Sequence, residues 1–278
     1  MTGATGWLGR VALERLKAAG VPCHAYASRG DGDIRALADL GSPPAGDGPV
    51  VLLHFAFLSR ARMAALGHDG YVATNAAISS RVLDWVAAER PDAVLLASSG
   101  AAAANVPLDR DPYGAQKRLD ELAFAEAARR VGARLRTVRV YNVTGPHMTT
   151  PEEYALGALI LAALRGEPLR ITARGRVVRS YVAIADLVDL ALAELVSGDG
   201  PAQLTFDTVG ETVEIGELAK AVVATLGVSS PIEREVDAQA PDNVYVGDRE
   251  KMAALVARHE LSLTSLPEQI RQTAEGLR

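Results

Sequence analysis

The sequence has 278 residues, of which 49% are hydrophobic and 23% are charged, the proportions of an ordinary globular protein. Its formal net charge of -5 argues against a broad nucleic-acid-binding surface, because such surfaces need clustered positive charge. The longest apolar runs are too short to span a bilayer, and a single cysteine cannot form an internal disulfide. The glycine-rich start does not resemble a signal peptide, so we expect a cytoplasmic protein with neither membrane nor nucleic-acid partners.

Short β-like runs alternate with helical patterns, which predicts an α/β fold with a parallel sheet. The predicted elements of the first half are, in chain order, a helix over 11–19, a strand over 23–27, a short helix over 34–40, a strand over 50–57, a helix around 75–89, a strand over 93–99, a helix over 113–131 and a strand over 134–142. Those of the second half are a helix over 152–165, strands over 169–172 and 203–209, and a helix over 215–226.

Three glycines at the start of the chain, Gly3, Gly6 and Gly9, have the spacing G-x-x-G-x-x-G ahead of the first predicted helix. Such glycines let the backbone turn tightly and approach a pyrophosphate, which then faces the helix N-terminus. The pattern also fits a plain surface turn, but its place before a helix and a strand favours a dinucleotide site. Only Met1 and Thr2 precede the loop, so we expect the residues of the first strand to lie upstream of Met1.

Tyr113 and Lys117 are four residues apart on a predicted helix and therefore share one face, and Ser99 ends a buried strand upstream. An ammonium near a phenol stabilises the phenolate, and a serine hydroxyl can hold the same carbonyl or alkoxide oxygen. Lysine is scarce among the 29 basic residues, which favours a catalytic pair over a surface coincidence. The implied chemistry is proton transfer to an oxygen whose carbon gains or loses hydride at a nicotinamide.

These segments resemble the extended short-chain dehydrogenase/reductase family, in its nucleotide-sugar epimerase, dehydratase and 4-ketoreductase branch. The matching segments are TGATGWLG, GDI, LLHFA, TNAA, LLASSGA, PYGAQK, RVYNVTGPH and VRSYVAIADL. The resemblance implies a Rossmann-type doubly wound parallel sheet with a smaller C-terminal substrate-binding lobe, and a homodimer. We expect an NADP-binding domain over 1–145 with a return segment at about 178–210, and the substrate-binding lobe over 146–177 and 211–278.

The resemblance also implies roles for single residues. Ser99, Tyr113 and Lys117 would be catalytic, and Ser99, Asn142 and Arg179 would bind a nucleotide-linked sugar. Besides Tyr113 and Lys117, the residues expected along the cofactor are Gly3, Thr5, Gly6, Trp7, Leu8, Gly9, Ser28, Arg29, Asp33, Ile34, Phe55, Ala56, Phe57, Asn75, Val140 and Tyr141. The histidines have no metal-ligand spacing, so no metal site is expected, and His54 is interpreted as a packed strand residue.

The end of the second strand predicts the choice between NAD and NADP. An acidic residue there binds the ribose 2′-hydroxyl of NAD, and the position falls at Ala27, followed by Ser28 and Arg29. No carboxylate rejects a 2′-phosphate, while a hydroxyl and a guanidinium can receive it, so we expect NADP. The alternative is NAD, with Arg29 starting a solvated turn and Asp31 turned back toward the ribose.

Departures from the family pattern restrict the expected activity. Gly100 and Ala101 replace the Asp-Glu pair of the dehydratases, so elimination of water would lack its acid and base. Gln239 replaces a second phosphate-binding arginine; either Arg234 substitutes, or the substrate is not a standard nucleotide diphosphate sugar. We expect NADPH-dependent reduction of a keto group on a nucleotide-linked deoxysugar. The alternatives are an epimerase that retains its NAD(P) and a non-catalytic NADP-binding regulator.

Overall fold

The computed structural model describes residues 1–44, 46–198 and 200–278. The chain forms two compact units, residues 1–140 with 188–206 and residues 141–187 with 207–278. The expected return segment therefore starts later than predicted, because residues 178–187 belong to the second unit, where their strand pairs with three others. Within the described ranges, no helix combines the length and the apolarity that crossing a bilayer requires.

The first unit is a parallel sheet with helices. Its helices are α1 (Trp7–Ala18), α2 (Met63–Glu89) and α3 (Pro112–Val131), and it also contains most of α5 (Ile184–Val196). Its strands are β1 (Ala25–Ala27), β2 (Ile34–Ala36), β3 (Val51–His54), β4 (Ala93–Ser99), β5 (Arg134–Val140) and β9 (Gln203–Asp207, whose last residue falls in the second unit). Strands β3, β4, β5 and β9 lie side by side in that order, and β2 pairs with β1.

The start of the chain joins the two parts of this sheet. Thr2 forms parallel bridges to Tyr26 in β1 and to His54 in β3. The Thr2 amide donates to the carbonyl of Leu53 over 2.9 Å, and the Tyr26 amide donates to the carbonyl of Met1 over 2.9 Å. Met1 and Thr2 thus occupy the place between β1 and β3 that was expected for residues upstream of Met1.

Several predicted bounds were wrong. Residues 34–40 form β2 and a 3₁₀ turn (Leu37–Asp39) in place of a helix, because β2 extends alongside β1. The run over 50–57 is a strand only at Val51–His54, and the strand predicted over 134–142 ends at Val140. Helix α2 begins at Met63, well before residue 75, and Gly67 interrupts it with a φ of 68°.

His54 belongs to the core of the first unit, as predicted. It is 2% exposed, its Nδ1 lies 2.7 Å from the Thr2 hydroxyl, and its ring stacks on Phe124 with centroids 5.0 Å apart. Burial lowers the pKa of His54 to about 3, with Lys117 and the N-terminal ammonium acting in the same direction. The imidazole is therefore neutral and serves packing.

The second unit is built around strand β8 (Val177–Ala183). This strand pairs antiparallel with β10 (Glu211–Glu214) and parallel with β6 (Asn142–Thr144) and β12 (Asn243–Tyr245), while β7 (Leu169–Ile171) pairs with β11 (Ile232–Arg234). The helices of this unit are α4 (Ala155–Leu164), α6 (Ile215–Leu226), α7 (Arg249–Arg258) and α8 (Leu266–Gly276). Apolar side chains of α4, α6 and α8 form its core.

Candidate functional site

The glycine loop approaches its neighbours so closely that side chains are excluded. Gly3 has a φ of 77°, and a Cβ there would lie 2.5 Å from the amide nitrogen of Ala56. A Cβ at Gly9 would collide with the carbonyl oxygen of Gly3. Gly6 is the N-cap of α1, and no side chain caps this helix. The N-terminus of α1 therefore fits a phosphate group, since its first N–H groups have no intrahelical acceptor.

The three predicted catalytic residues lie together in the first unit. Strand β4 is buried along its whole length and ends at Ser99, which is 5% exposed. Ser99 is a neighbour of Tyr113, since its hydroxyl lowers the pKa of the phenol. Lys117 is 6% exposed, and its Nζ donates to the carbonyl of Ala97 over 2.7 Å. Helix α3 thus brings both Tyr113 and Lys117 to the carboxyl end of β4.

Gly114 allows this close approach of α3 to the segment after β4. A Cβ at residue 114 would lie 2.8 Å from the carbonyl oxygen of Ala101 and would also collide with Asp111 Oδ2. Ala101 belongs to the 3₁₀ turn Gly100–Ala104. Its amide donates a hydrogen bond to the Ser99 hydroxyl over 3.2 Å. Gly100 and Ala101 are therefore buried against the start of α3.

Phe57 contacts both ionisable members of the site. Its ring meets the Tyr113 ring edge to face, with centroids 5.7 Å apart, and the Lys117 ammonium lies 3.8 Å from the Phe57 centroid. The prediction placed the ammonium near the phenol; the structure shows it donating to the carbonyl of Ala97 and lying over the Phe57 ring, which itself contacts Tyr113. Cations are attracted to the face of an aromatic ring, so Phe57 helps to hold the buried ammonium.

Burial dominates the titration of both groups. Burial raises the pKa of Tyr113, while the Ser99 hydroxyl and the nearby guanidinium of Arg60 lower it. Burial lowers the pKa of Lys117 to about 8, against the opposing influence of Asp120 and Glu121. Lys117 is therefore mostly protonated at neutral pH and loses its charge a little above it.

Two charged residues beside Tyr113 were not found from the sequence. The guanidinium carbon of Arg60 lies 4.8 Å from the centroid of the Tyr113 ring, and Arg60 Nη2 pairs with Asp111 Oδ2 over 3.1 Å. Asp111 directly precedes Pro112 in the sequence, so its nearness to Tyr113 could have been inferred. Nothing in the sequence connects Arg60 with Tyr113, because the contact depends on the loop after β3.

The other predicted cofactor residues of the first unit differ in their exposure. The Oδ1 atom of buried Asn75 accepts a hydrogen bond from the amide of Leu58 over 2.8 Å, so Asn75 fixes the segment after β3. Val140 lies in register with Ser99 on the neighbouring strand. The exposed residues are Thr5, Gly6, Ser28, Arg29 and Asp33, and the partly buried ones are Gly3, Trp7, Leu8, Ile34, Phe55, Ala56 and Phe57.

The second unit contains a cavity of about 220 Å³ that both predicted substrate residues of this unit line. Its lining is Asn142, Val143, Met148, Glu153, Tyr154, Ala155, Leu156, Arg179 and Tyr181. Asn142 Nδ2 donates to the carbonyl of Ser180 over 3.1 Å, and Arg179 Nη1 donates to the carbonyls of Val178 and Asn243, each over 2.9 Å. These bonds hold the amide and the guanidinium in fixed positions at the cavity.

Tyr141, predicted to contact the cofactor, belongs to the second unit. Its hydroxyl donates to Asp207 Oδ2 over 3.2 Å, and its ring lies 4.6 Å from that of Tyr245, centroid to centroid. The Arg179 guanidinium carbon is 5.9 Å from the Tyr245 ring centroid. Tyr141 thus takes part in an aromatic cluster within its own unit.

Arg234, considered as a substitute for the arginine absent at Gln239, is already held by its own unit. Its Nε donates to the carbonyl of Ala173 over 3.1 Å, and its Nη2 donates to that of Gly175 over 2.6 Å. Its Nη1 pairs with Glu214 Oε1 over 2.8 Å. Every guanidinium nitrogen has an internal acceptor, so Arg234 is a structural residue that fastens β11 to the turn before β8.

The sequence model of the NAD dependent epimerase/dehydratase family matches residues 1–216. The chain belongs to this family. Curated relatives of this family member include UDP-glucuronic acid decarboxylase 5 of Arabidopsis thaliana, 31% identical over 116 residues, or 41% of this chain and 34% of the relative. UDP-glucuronic acid decarboxylase 1 of Xenopus tropicalis is 27% identical over 126 residues, or 45% and 30%. The chain thus spans about a third of the length of the curated relatives it matches.

Solved structures of similar fold cover almost the whole chain. MoeE5 in complex with UDP-glucose and NAD aligns with a TM-score of 0.77 at 21% identity, covering 100% of this chain and 97% of that one. The UDP-N-acetylglucosamine 4-epimerase of Methanobrevibacter ruminantium, in complex with UDP-N-acetylmuramic acid, aligns with a TM-score of 0.78 at 17% identity, covering 99% and 96%. The predicted Rossmann-type α/β fold is confirmed.

Proposed function

We propose that this family member is an NAD(P)-dependent enzyme that reduces a keto group on a nucleotide-linked sugar with NADPH. The observation that carries the proposal is the joint placement of Ser99, Tyr113 and Lys117 at the end of β4, in the unit that also contains the glycine loop. Two neighbouring hydroxyls can bind one substrate oxygen, and the phenol can exchange a proton with it. Lys117 supplies positive charge nearby at neutral pH.

The residues of the glycine loop fit a dinucleotide. Gly3 and Gly9 leave no room for side chains, and the uncapped N-terminus of α1 favours an anionic group. A nicotinamide dinucleotide supplies hydride transfer at carbon when it is bound. In this proposal the loop and α1 hold its pyrophosphate, and Lys117 holds ribose hydroxyls. Exposed Ser28 and Arg29 receive a 2′-phosphate, which favours NADP over NAD.

The second unit supplies a binding place for the nucleotide part of the substrate. In its cavity Arg179 offers a guanidinium, which grips phosphate through two donors and stays charged, and Asn142 offers an amide. The structural relatives described with UDP-glucose and UDP-N-acetylmuramic acid support this class of substrate. Dehydration is disfavoured, since Gly100 and Ala101 provide neither acid nor base.

The second candidate is a nucleotide-sugar epimerase that oxidises and re-reduces one carbon with a retained cofactor. Solved epimerases of the same fold favour it, because the same Ser, Tyr and Lys can move a proton in either direction. A non-catalytic NADP-binding regulator is the least favoured candidate, since Tyr113 and Lys117 are both present, Lys117 is buried and Tyr113 is half-buried.

One incubation separates these candidates. The protein is mixed with a nucleotide-linked 4-keto-6-deoxyhexose and NADPH, and both the nicotinamide absorbance and the sugar product are followed. We expect one NADPH to be oxidised for each sugar reduced. Sugar conversion without net NADPH oxidation would identify the epimerase. Tight NADPH binding with no conversion of this sugar or of UDP-sugars would contradict both catalytic readings.

A further inference from the structure

Arg60 lies over the face of the Tyr113 ring and also pairs with Asp111. Its guanidinium carbon is 4.8 Å from the ring centroid, and its Nη2 bonds to Asp111 Oδ2 over 3.1 Å. Asp111 has its own fixed place: its side chain is only 18% exposed, and Gly114 leaves the space that its carboxylate fills. The Arg60 side chain itself is 58% exposed, so no packing requirement explains an arginine there.

The environment of Tyr113 can be described element by element. The polar and ionisable groups around it are Ser99 at the end of β4, Arg60 in the 3₁₀ turn after β3, Asp111 just before α3, Tyr71 on α2 and Lys117 one turn along α3. Tyr71 donates its hydroxyl to the carbonyl of Leu58 over 2.8 Å and contributes no charge. Lys117 directs its ammonium to the carbonyl of Ala97 and to Phe57. Arg60 is therefore the cation that lies directly over the phenol ring.

We propose that Arg60 is a positioning residue that stabilises the phenolate of Tyr113 from the ring face, with Asp111 as its anchor. The charge of a phenolate spreads into the ring, so a cation above the face stabilises the ionised form more than the neutral one. Asp111 opposes ionisation by its own charge, yet it keeps the guanidinium in place. The inference rests on the proposed function, since it assigns Arg60 a part in the proton transfer at Tyr113.

A titration of Tyr113 tests the electrostatic claim without any turnover. All seven tyrosines are replaced by the more acidic 3-fluorotyrosine, and Tyr113→Phe assigns the resonance in fluorine NMR. We expect Arg60→Met to lower the acid dissociation constant of residue 113 by about threefold to tenfold at low salt, and less at high salt. Arg60→Lys should recover most of the loss. Arg62→Met removes the same charge from the same exposed turn and should have no effect.

An unchanged titration in Arg60→Met, an equal change in Arg62→Met, or no recovery in Arg60→Lys would each overturn the inference. Kinetics then test the catalytic consequence. We expect Arg60→Met to lower kcat about threefold or more with an unchanged KM, whereas a raised KM with an unchanged kcat would make Arg60 a substrate contact. If the wild-type protein converts no nucleotide-linked sugar, the proposed function fails while the titration still decides whether Arg60 acts on Tyr113.

Discussion

The side chains of Ser99 and Tyr113 are neighbours, and the Ser99 hydroxyl lowers the pKa of the phenol, although fourteen positions separate the two residues along the chain. The two residues meet because β4 ends at Ser99 and α3 starts directly against the turn that follows. Two hydroxyls held in this way present one site for a substrate oxygen.

Replacing Lys117 with methionine should separate the effect of its charge from the effect of its packing. Lys117→Met keeps an unbranched side chain in the buried site but removes the cation and the hydrogen bond to Ala97. We expect turnover to fall by about a hundredfold, the scale of a positioned proton-transfer system, and cofactor affinity to weaken. Steady-state kinetics and a cofactor titration would measure the two effects. A variant with the turnover and the cofactor affinity of the wild type would show that Lys117 takes no part in the site.

The same residue predicts a dependence of stability on pH. Burial lowers the pKa of Lys117 from 10.5 to about 8 in the folded protein, so between these values the unfolded chain binds more protons. The free energy of unfolding of the wild type, relative to Lys117→Met, should therefore rise with pH across this range, by up to about 1.4 kcal/mol per pH unit. Urea unfolding at a series of pH values measures it. If the free energies of unfolding of the two proteins changed with pH in parallel, the pKa of Lys117 would not be lowered in the folded protein.

Arg179→Ala tests the cavity of the second unit. If the guanidinium grips a phosphate of the substrate, its loss should raise KM for a nucleotide-linked sugar about tenfold or more and leave NADPH affinity nearly unchanged. Arg176→Ala is the matched control, since that arginine is 60% exposed and pairs with Asp242. An unaltered KM in Arg179→Ala, or an equal rise in both variants, would exclude Arg179 from substrate binding.

Arg29→Ala tests the choice of cofactor. Its exposed guanidinium would pair with a 2′-phosphate, so the variant should lose about tenfold in NADPH affinity and keep its NADH affinity. Arg130→Ala on α3 is an exposed control that removes the same charge. Fluorescence titrations of both nucleotides measure the result. Tighter binding of NADH than of NADPH by the wild type would overturn the NADP proposal.

The fold class and part of the candidate site could be predicted from the sequence, because local chemistry determines these parts of the structure. Some features can be recognised within a few residues of sequence. These are the glycines that leave no room for a Cβ, the apolar strand and the Tyr-x-x-x-Lys helix face. The short helix predicted over 34–40 was wrong because a long-range pairing with β1 overrode the local helical pattern. Arg60 was missed for a related reason, since its contacts with Tyr113 and Asp111 arise only after folding. The direction of the Lys117 ammonium likewise depends on where Ala97 and Phe57 lie.

The most direct test of the account is the turnover of Tyr113→Phe beside that of Tyr71→Phe. Both tyrosines pack edge to face on Phe57, with centroids 5.7 and 6.5 Å away, and each substitution deletes one hydroxyl. We expect Tyr113→Phe to lose about a hundredfold or more in kcat while it still binds NADPH, because the Ser99 hydroxyl acts on Tyr113 and Tyr113 is the proposed proton-transfer residue. Tyr71→Phe, once shown to be folded by its thermal transition, should stay within a few-fold of the wild type. Near-normal turnover in Tyr113→Phe, or equal losses in the two variants, would contradict the assignment of Tyr113 as the proton-transfer residue.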